Sequence, residues 1–191
     1  GGTGSFTAIR NALQWVLDNR LSYGISAVNI SISDGGNFTA APADSMITLL
    51  QQLRAERIAV ACAAGNSFFT INSQQGMGFP AIVPEAISVG AVYEGNAGGF
   101  TYGSGAKAFT TAADRICPFS QRLHPSISAA SRTDIFAPGA PITSAGILSD
   151  TAESTQQGTS QATPVTVGVL MLMQDLYKRQ HGVLPEVSLL E

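Results

Sequence analysis

Residues 158–164 read Gly-Thr-Ser-Gln-Ala-Thr-Pro and stand directly before a long segment with helical character. Pro164 would fall in the first turn of that helix, where a missing N–H costs little. We therefore predict a helix from Ser160 to about Gln180, stopped by Gly182. A serine at the start of a helix is most often an N-cap, and this interpretation stays open for Ser160. The alternative is a reactive hydroxyl with the positive end of the helix dipole behind it.

Helical and strand-like segments alternate along the rest of the chain. The spacing of apolar residues predicts helices over residues 7–19 and 44–57, and apolar runs predict strands over 27–32, 58–64, 86–92 and 133–136. This alternation predicts an α/β fold, a three-layer αβα arrangement with a mainly parallel sheet and helices on both faces. Residues 93–116 show no clear period and are expected to form a long surface loop or hairpin insertion.

The composition excludes several classes of function. The 191 residues suit one domain, the net charge is -3, and no run of lysines and arginines offers a nucleic-acid surface. No apolar stretch reaches the roughly 18 residues needed to span a membrane. Cys62 and Cys117 are too few for a disulfide framework or a metal cluster, and Cys62 is expected to be a packed free thiol. No cofactor is evident from the sequence.

Two further runs follow predicted strands, where sites in parallel sheets gather. The first, residues 63–66, is Ala-Ala-Gly-Asn, and the second, residues 28–32, is Val-Asn-Ile-Ser-Ile. Taken alone, Asn66 is an ordinary turn residue after a strand.

Taken in order, these runs resemble the subtilisin-like serine peptidases, or subtilases, from Gly2 to about Leu190. Weaker matches follow in the same order: Phe79-Pro80-Ala81, Ile87-Ser88-Val89-Gly90-Ala91, Phe119-Ser120 and Asp134-Ile135-Phe136-Ala137-Pro138-Gly139. The stretches 93–116 and 121–132 fall outside the resemblance. It implies that residues 1–191 are part of a subtilisin-like peptidase domain, truncated at both ends, with an insertion at about 93–116.

The resemblance also implies roles for individual residues. Ser160 would be the nucleophile and Asn66 the side-chain donor to the oxyanion, acting on an extended polypeptide substrate. The substrate-binding positions would be Gly2, Thr3, Gly4, Phe6, Ile9, Ser31, Ile32, Ser33, Ala63, Ala64, Gly65 and Thr159. Among them, Phe6, Ile9 and Ile32 would line an apolar pocket. Ser33 stands where a glycine is expected on the wall of the primary specificity pocket, so we hypothesise that large aromatic side chains are disfavoured there.

The mechanism needs a general base, and neither histidine of the chain suits that role. His181 lies at or beyond the far end of the predicted last helix, and His124 precedes Pro125 in a loop. The resemblance places the catalytic aspartate and histidine upstream of Gly1. We therefore expect this chain to be nearly inactive alone, with the upstream part of the same domain as its partner. The resemblance also implies an extracellular location and leaves room for calcium sites in the full-length protein.

Other functions remain open at this stage. A non-catalytic pseudopeptidase would keep the groove as a peptide-binding or structural module without the base. An esterase of the α/β-hydrolase type is disfavoured, because that class carries Gly-x-Ser-x-Gly and the run here is Gly-Thr-Ser-Gln-Ala. Gln161 and Val165 replace a methionine and a histidine that are frequent in the family, but neither position belongs to the triad.

Overall fold

The computed structural model describes residues 4–191, which form three α-helices and eight strands. The helices are α1 (Phe6–Tyr23), α2 (Met46–Ala55) and α3 (Thr159–His181), and a short 3₁₀ turn covers Val187–Leu189. The strands are β1 (Ala27–Ile30), β2 (Ala59–Ala63), β3 (Ile87–Tyr93), β4 (Phe100–Thr101), β5 (Lys107–Ala108), β6 (Ile135–Ala140), β7 (Ile142–Ala145) and β8 (Glu153–Gln156).

The central sheet has the order β1-β2-β3-β6, and each neighbouring pair is parallel. Every residue of β2 and β3 is buried, as expected for strands covered on both faces. The registers pair Val28 with Val60 and Cys62 with Ser88, so the carboxyl ends of β1 and β2 reach the same edge of the sheet.

Two hydrophobic cores lie on opposite faces of this sheet. One is formed with α1 and α2 and includes Leu13 and Leu50, while the other is formed with α3 and includes Leu170 and Tyr93. Helix α3 contacts all four strands of the sheet. This arrangement confirms the predicted three-layer αβα fold with a mainly parallel sheet.

Both cysteines are free and fully buried, Cys62 in the first core and Cys117 in the second. Burial raises the pKa of the Cys62 thiol, and it raises that of Cys117 to about 12. A thiol whose pKa is raised by apolar surroundings is a poor nucleophile. The expectation that Cys62 is a packed thiol is therefore confirmed.

Three segments differ from the sequence-based expectation. Strand β6 continues through Pro138, which is tolerated because β6 forms an edge of the sheet among the described residues. The β7–β8 hairpin was not predicted, because its residues are mostly exposed on both faces and show no apolar alternation. The stretch 93–116 contains the β4–β5 hairpin, but Tyr102 within it is buried in the second core, where its hydroxyl meets that of Tyr93.

One buried polar contact ties the start of β3 to the segment that leads into β6. The Ser88 N–H donates to Asp134 Oδ2 at 2.8 Å, and the Ser88 hydroxyl accepts from the Asp134 N–H at 2.9 Å. Burial raises the pKa of the Asp134 carboxyl above its usual range, although the hydrogen bonds from Ser88 act in the opposite direction. Desolvation therefore disfavours the ionised form of Asp134 in the folded protein.

The raised pKa makes the contribution of Asp134 to stability depend on pH. This contribution is fully present below the unfolded pKa, about 3.9, and is lost as the pH rises through the higher folded value. Relative to Asp134→Asn, which keeps an acceptor but does not titrate, the wild type should lose unfolding free energy between about pH 3 and pH 7. Asp134→Ala should cost about 1–3 kcal/mol because it leaves the Ser88 N–H buried without an acceptor. Urea unfolding at both pH values measures these differences, and parallel pH profiles for wild type and Asp134→Asn would contradict the assignment.

Candidate functional site

Ser160 lies in the first turn of α3, beside the end of β1. Its Oγ donates a hydrogen bond to the Ser31 carbonyl at 3.1 Å, and the Ser31 Oγ donates to the Ser160 carbonyl at 2.8 Å. The N-cap of α3 is Gly158, without a side-chain cap. The hydroxyl of Ser160 is therefore not a helix cap. It stands half-buried at the carboxyl edge of the sheet, with the positive end of the helix beside it.

Asn66 follows β2 and is held by the residue before Ser160. Its Oδ1 accepts from the Thr159 N–H at 2.9 Å and lies 3.1 Å from the Thr159 Oγ1, which in turn accepts from the Gly65 N–H at 3.1 Å. Thr159 is fully buried, whereas Asn66 is exposed. The carbonyl end of the Asn66 amide is therefore bonded to Thr159, which leaves the Nδ2 end available as a donor.

The backbone at Gly158 passes close to Asn66 and to the start of α3. Gly158 has a φ of 155°, and a Cβ built on it would lie 2.9 Å from Gln161 Oε1, 3.2 Å from Asn66 Nδ2 and 3.5 Å from the Ser160 nitrogen. The Ser160 N–H belongs to the first helical turn, which has no intrahelical acceptor. Asn66 Nδ2 and the Ser160 nitrogen therefore both lie close to one position at Gly158. Such a pair can stabilise a negatively charged oxygen.

A pocket of about 390 Å³ opens beside Ser160. One wall is the segment after β1, the other is the segment that ends β2 and continues to Ser67. The lining residues are Ser31, Ile32, Ser33, Gly35, Ala63, Gly65, Asn66, Ser67, Gln121, Thr159 and Ser160. Six of the sequence-predicted substrate-binding residues line this pocket together with Asn66 and Ser160, because two strand ends and one helix start meet here. Ala64 adjoins the pocket, and its carbonyl accepts from the Gly78 N–H.

Gln121 is a pocket residue that sequence reasoning missed. It is fully buried, its N–H donates to the Gly65 carbonyl at 2.9 Å, and its Nε2 donates to the Gly36 carbonyl and to Asn37 Oδ1, both at 2.9 Å. The only available signal was its position directly after the Phe119-Ser120 match. Gln121 itself opens the stretch 121–132, which falls outside the family resemblance.

Other predicted binding residues lie away from this pocket. Phe6 and Ile9 are on α1 and pack against the first core, where the Phe6 ring meets that of Phe79 at 5.6 Å between centroids. Gly4 is exposed just before α1. Gly2 and Thr3 lie outside the described residues. The apolar pocket formed by Phe6, Ile9 and Ile32 therefore stays a prediction.

The two histidines lie elsewhere in the fold. His124 is exposed, and its Nδ1 lies 2.7 Å from Ser126 Oγ in the same turn. His181 ends α3 with its ring against Tyr177, about 30 Å along the helix from Ser160 at 1.5 Å per residue. Among the described residues, those lining the Ser160 pocket include no histidine and no carboxylate. The described part of the chain therefore supplies a hydroxyl and two N–H donors at this edge.

Residues 4–191 lack two kinds of feature. No group of three or more histidine, cysteine, aspartate or glutamate side chains is placed to hold a metal ion. None of the helices in this range combines the length and the apolar character needed to cross a membrane.

Known proteins resemble this chain in sequence and in architecture. The sequence matches the Subtilase family over residues 1–186. Subtilisin J of Geobacillus stearothermophilus is 29% identical over 172 residues, which are 90% of this chain and 35% of the relative. The extracellular serine proteinase of Thermus sp. (strain Rt41A) is 31% identical over 176 residues, which are 92% of this chain and 34% of the relative.

A solved structure with the same fold is that of the prenylagaramide maturation protease PagA. It superposes with a TM-score of 0.63 at 22% identity, and the match covers 93% of this chain and 53% of PagA. The chain spans about a third of the length of these two curated relatives. Because the family match covers nearly the whole sequence, the chain belongs to the subtilase family.

Proposed function

We propose that this chain carries the nucleophile and the oxyanion donors of a serine endopeptidase. The observation that supports this most directly is that Asn66 Nδ2 and the Ser160 nitrogen lie close to one position at Gly158, with the Asn66 amide held by the Thr159 N–H. Donors that are already oriented need no rearrangement when charge develops in the transition state. Membership of the subtilase family agrees with this chemistry.

The reaction begins when Ser160 Oγ attacks the peptide carbonyl carbon. The serine proton passes to a general base, the new C–O bond forms, and the carbonyl oxygen becomes an oxyanion held by Asn66 and the Ser160 N–H. The C–N bond then breaks as the base returns the proton to the leaving amine. Water hydrolyses the resulting ester by the same steps. To reach the base, the Ser160 hydroxyl leaves its present acceptor, the Ser31 carbonyl.

The substrate is an extended polypeptide that lies along the carboxyl edge of the sheet. The segments after β1 and β2 offer backbone groups on either side of the pocket, so a peptide can add between them as a strand. The side chain before the scissile bond enters the pocket lined by Ser31, Ser33 and Gly65. The Thermus relative is named as extracellular, and we propose the same location for the protein that carries this chain.

The general base and its orienting carboxylate belong, in this proposal, to the upstream part of the same domain. Neither His124 nor His181 reaches Ser160 from its position. Without the base, the chain alone should turn over substrate about 10⁶-fold more slowly, as a subtilisin does when it loses its histidine.

The exposed side of α3 supports the proposal that an upstream part of the same domain packs on this chain. Val165, Val169, Leu172 and Leu176 form an apolar stripe at helical spacing, and their exposed fractions run from 40% to 72%. The opposite side of α3 is already packed on the sheet through Ala162, Thr166 and Leu170. A helix that is apolar on both sides is normally buried on both sides. Strand β1, at one edge of the sheet among the described residues, provides an unpaired edge for an additional strand.

Labelling with a fluorophosphonate tests the nucleophile. The protein that carries this chain is expected to react with the probe. Ser160→Ala should abolish the reaction, whereas the control Ser22→Ala, on the surface of α1, should leave it unchanged. Asn66→Ala is expected to lower kcat by about 10²–10³, because one oxyanion donor is lost. Activity-based labelling and peptide hydrolysis measure the two effects.

The pseudopeptidase remains the alternative outcome of that experiment. A folded protein that carries the whole domain and still does not react with the probe would overturn the peptidase. Retained peptide binding in such a protein would identify it as a binding module instead.

A substitution in the apolar stripe tests the upstream partner. In the protein that carries this chain, Leu172→Asp should cost at least about 2 kcal/mol of unfolding free energy, because an unpaired charge would be buried. The conservative Leu172→Met and the control Gln180→Asp, elsewhere on α3, should change stability by about 0.5 kcal/mol or less. Urea unfolding measures all three variants. Equal effects for Leu172→Asp and Gln180→Asp would mean that nothing packs on the stripe.

A further inference from the structure

We propose that a basic surface around Ile116, formed by Lys107, Arg115 and Arg122, binds an acidic peptide segment whose carboxylates pair with the two arginines. The surface consists of two adjoining clefts, and neither shares a lining residue with the Ser160 pocket. Binding there therefore does not depend on the proposed peptidase activity.

Most cationic side chains of this chain are paired with a carboxylate. Six of the ten lysines and arginines form salt bridges, and among residues 4–191 those that form none are Lys107, Arg115, Arg122 and Lys178. Lys107 and Arg115 line one cleft of about 260 Å³, and Arg122 lines a second cleft of about 240 Å³. The two clefts meet at Ile116, which lines both. Three of these four cations are therefore gathered on one surface of a chain whose net charge is -3.

Each arginine of this surface is anchored through Nη1. Arg115 Nη1 donates to the Thr110 carbonyl at 2.8 Å. Arg122 Nη1 donates to the Ser120 carbonyl at 2.9 Å, and the guanidinium carbon lies 3.6 Å from the centre of the Phe68 ring. In the described part of the chain, Nε and Nη2 of both side chains have no acceptor. The N–H bonds on these two nitrogens point the same way, so each arginine presents an edge that a carboxylate can accept in two parallel hydrogen bonds.

No carboxylate among the described residues compensates these charges. Neither cleft is lined by an aspartate or a glutamate, and Asp114, which precedes Arg115, forms no salt bridge within residues 4–191. Arg122 is half-buried, and burial lowers the pKa of its guanidinium. A partly desolvated charge without a counter-charge is unfavourable, and a carboxylate from a partner would compensate it.

The apolar part of the surface favours a peptide over a lipid membrane or a nucleic acid. Ile116 and Phe109 are 37% and 88% exposed, so apolar contact area lies beside the cations. Polybasic membrane sites use about 4–8 lysines and arginines, and strongly salt-dependent DNA-binding proteins make about 6–10 phosphate contacts. Three cations beside exposed apolar side chains instead match a segment in which acidic residues flank an apolar one.

The basic surface lies at the edge of the sheet opposite the one assigned to the upstream part of the domain. Ile116 pairs with Val92 in β3, and Phe136, which lines the second cleft, belongs to β6. The order β1-β2-β3-β6 puts β6 and β1 at opposite edges among the described strands. An upstream strand added at β1 would therefore not occupy the surface around Ile116.

Peptide binding to the Ser160→Ala form of the protein that carries this chain tests the proposal without cleavage of the probe. The probe is a fluorescent peptide with glutamate-leucine-glutamate at its centre, and the matched control peptide has glutamine-leucine-glutamine there. We expect the glutamate peptide to bind at least about tenfold more tightly by fluorescence anisotropy, and added salt to reduce that difference. Equal affinities, tighter binding of the glutamine peptide, or no binding by either would overturn the proposal.

Variants of the cationic residues assign the binding to this surface. Arg115→Gln and Arg122→Gln should each weaken binding of the glutamate peptide about tenfold, whereas Lys178→Gln, which removes the same charge on α3, should leave it unchanged. Arg122→Lys keeps the charge without the two parallel donors and should lose most of the same affinity. Equal weakening by Lys178→Gln and Arg115→Gln would overturn the site, and full affinity in Arg122→Lys would overturn the bidentate pairing. Because Arg115 is exposed, Arg115→Gln should keep the urea midpoint of its parent, so it decides the test even if the Arg122 variants unfold.

Other partners of the basic surface give different results. Binding to phosphatidylserine–phosphatidylcholine vesicles or to a DNA duplex that is tighter than binding to the glutamate peptide, and that is lost in Arg115→Gln, would overturn an acidic peptide as the partner. Fluorophosphonate labelling of Ser160 should be the same with and without Arg115→Gln. Loss of labelling in Arg115→Gln would overturn the separation of this surface from the Ser160 site.

Discussion

The buried hydroxyl of Thr159 is the contact on which the site depends. It accepts from the Gly65 N–H and lies within hydrogen-bonding distance of Asn66 Oδ1, and so joins the end of β2 to the first residue of α3. Strand β2 and helix α3 belong to different layers, and nearly a hundred residues of chain separate these two points. Because the layers are packed through full cores, this one contact fixes how far the amide of Asn66 stands from Ser160. The orientation of the donors is therefore a consequence of the fold.

Close backbone approach at two glycines makes that contact sterically possible. A side chain at Gly139 would lie 2.7 Å from both Ala91 Cβ and the Gly158 carbonyl oxygen, and the Gly158 N–H donates to the Gly139 carbonyl at 2.9 Å. Strand β6 can therefore run directly beneath the start of α3. A larger residue at Gly139 would push the helix start away from β3 and β6, and the distance between Gly158 and Asn66 would change with it. The glycines in these runs thus act through packing, and the reactive groups depend on that packing.

Sequence reasoning predicted those parts of the molecule that are determined locally. Apolar spacing predicted α1 and β2 to within a few residues, and the run 158–164 directed attention to Ser160 before any fold was known. Gln121 could not be found in this way, because its role exists only where the segments at 36–37 and 65–67 meet. The hairpin of β7 and β8 was missed for a different reason. Its stability comes from cross-strand pairs such as Thr143 with Thr155, whose hydroxyls lie 2.8 Å apart, and such pairs leave no apolar period in the sequence.

Oxyanion donors and a general base have different physical requirements, and this difference explains why they belong on different elements of the fold. Oxyanion donors must be rigid, and the two proposed here are a backbone N–H in a helix and an amide whose other end is bonded to the start of that helix. A general base must instead exchange protons and keep contact with solvent and substrate, so it is best placed on a separate element facing the groove. The Ser160 hydroxyl combines a fixed position with a proton that can be released. Its backbone belongs to α3, but its proton is bonded to a single acceptor, the Ser31 carbonyl. One rotation about its side-chain bond releases that proton, and the donors beside it need not move.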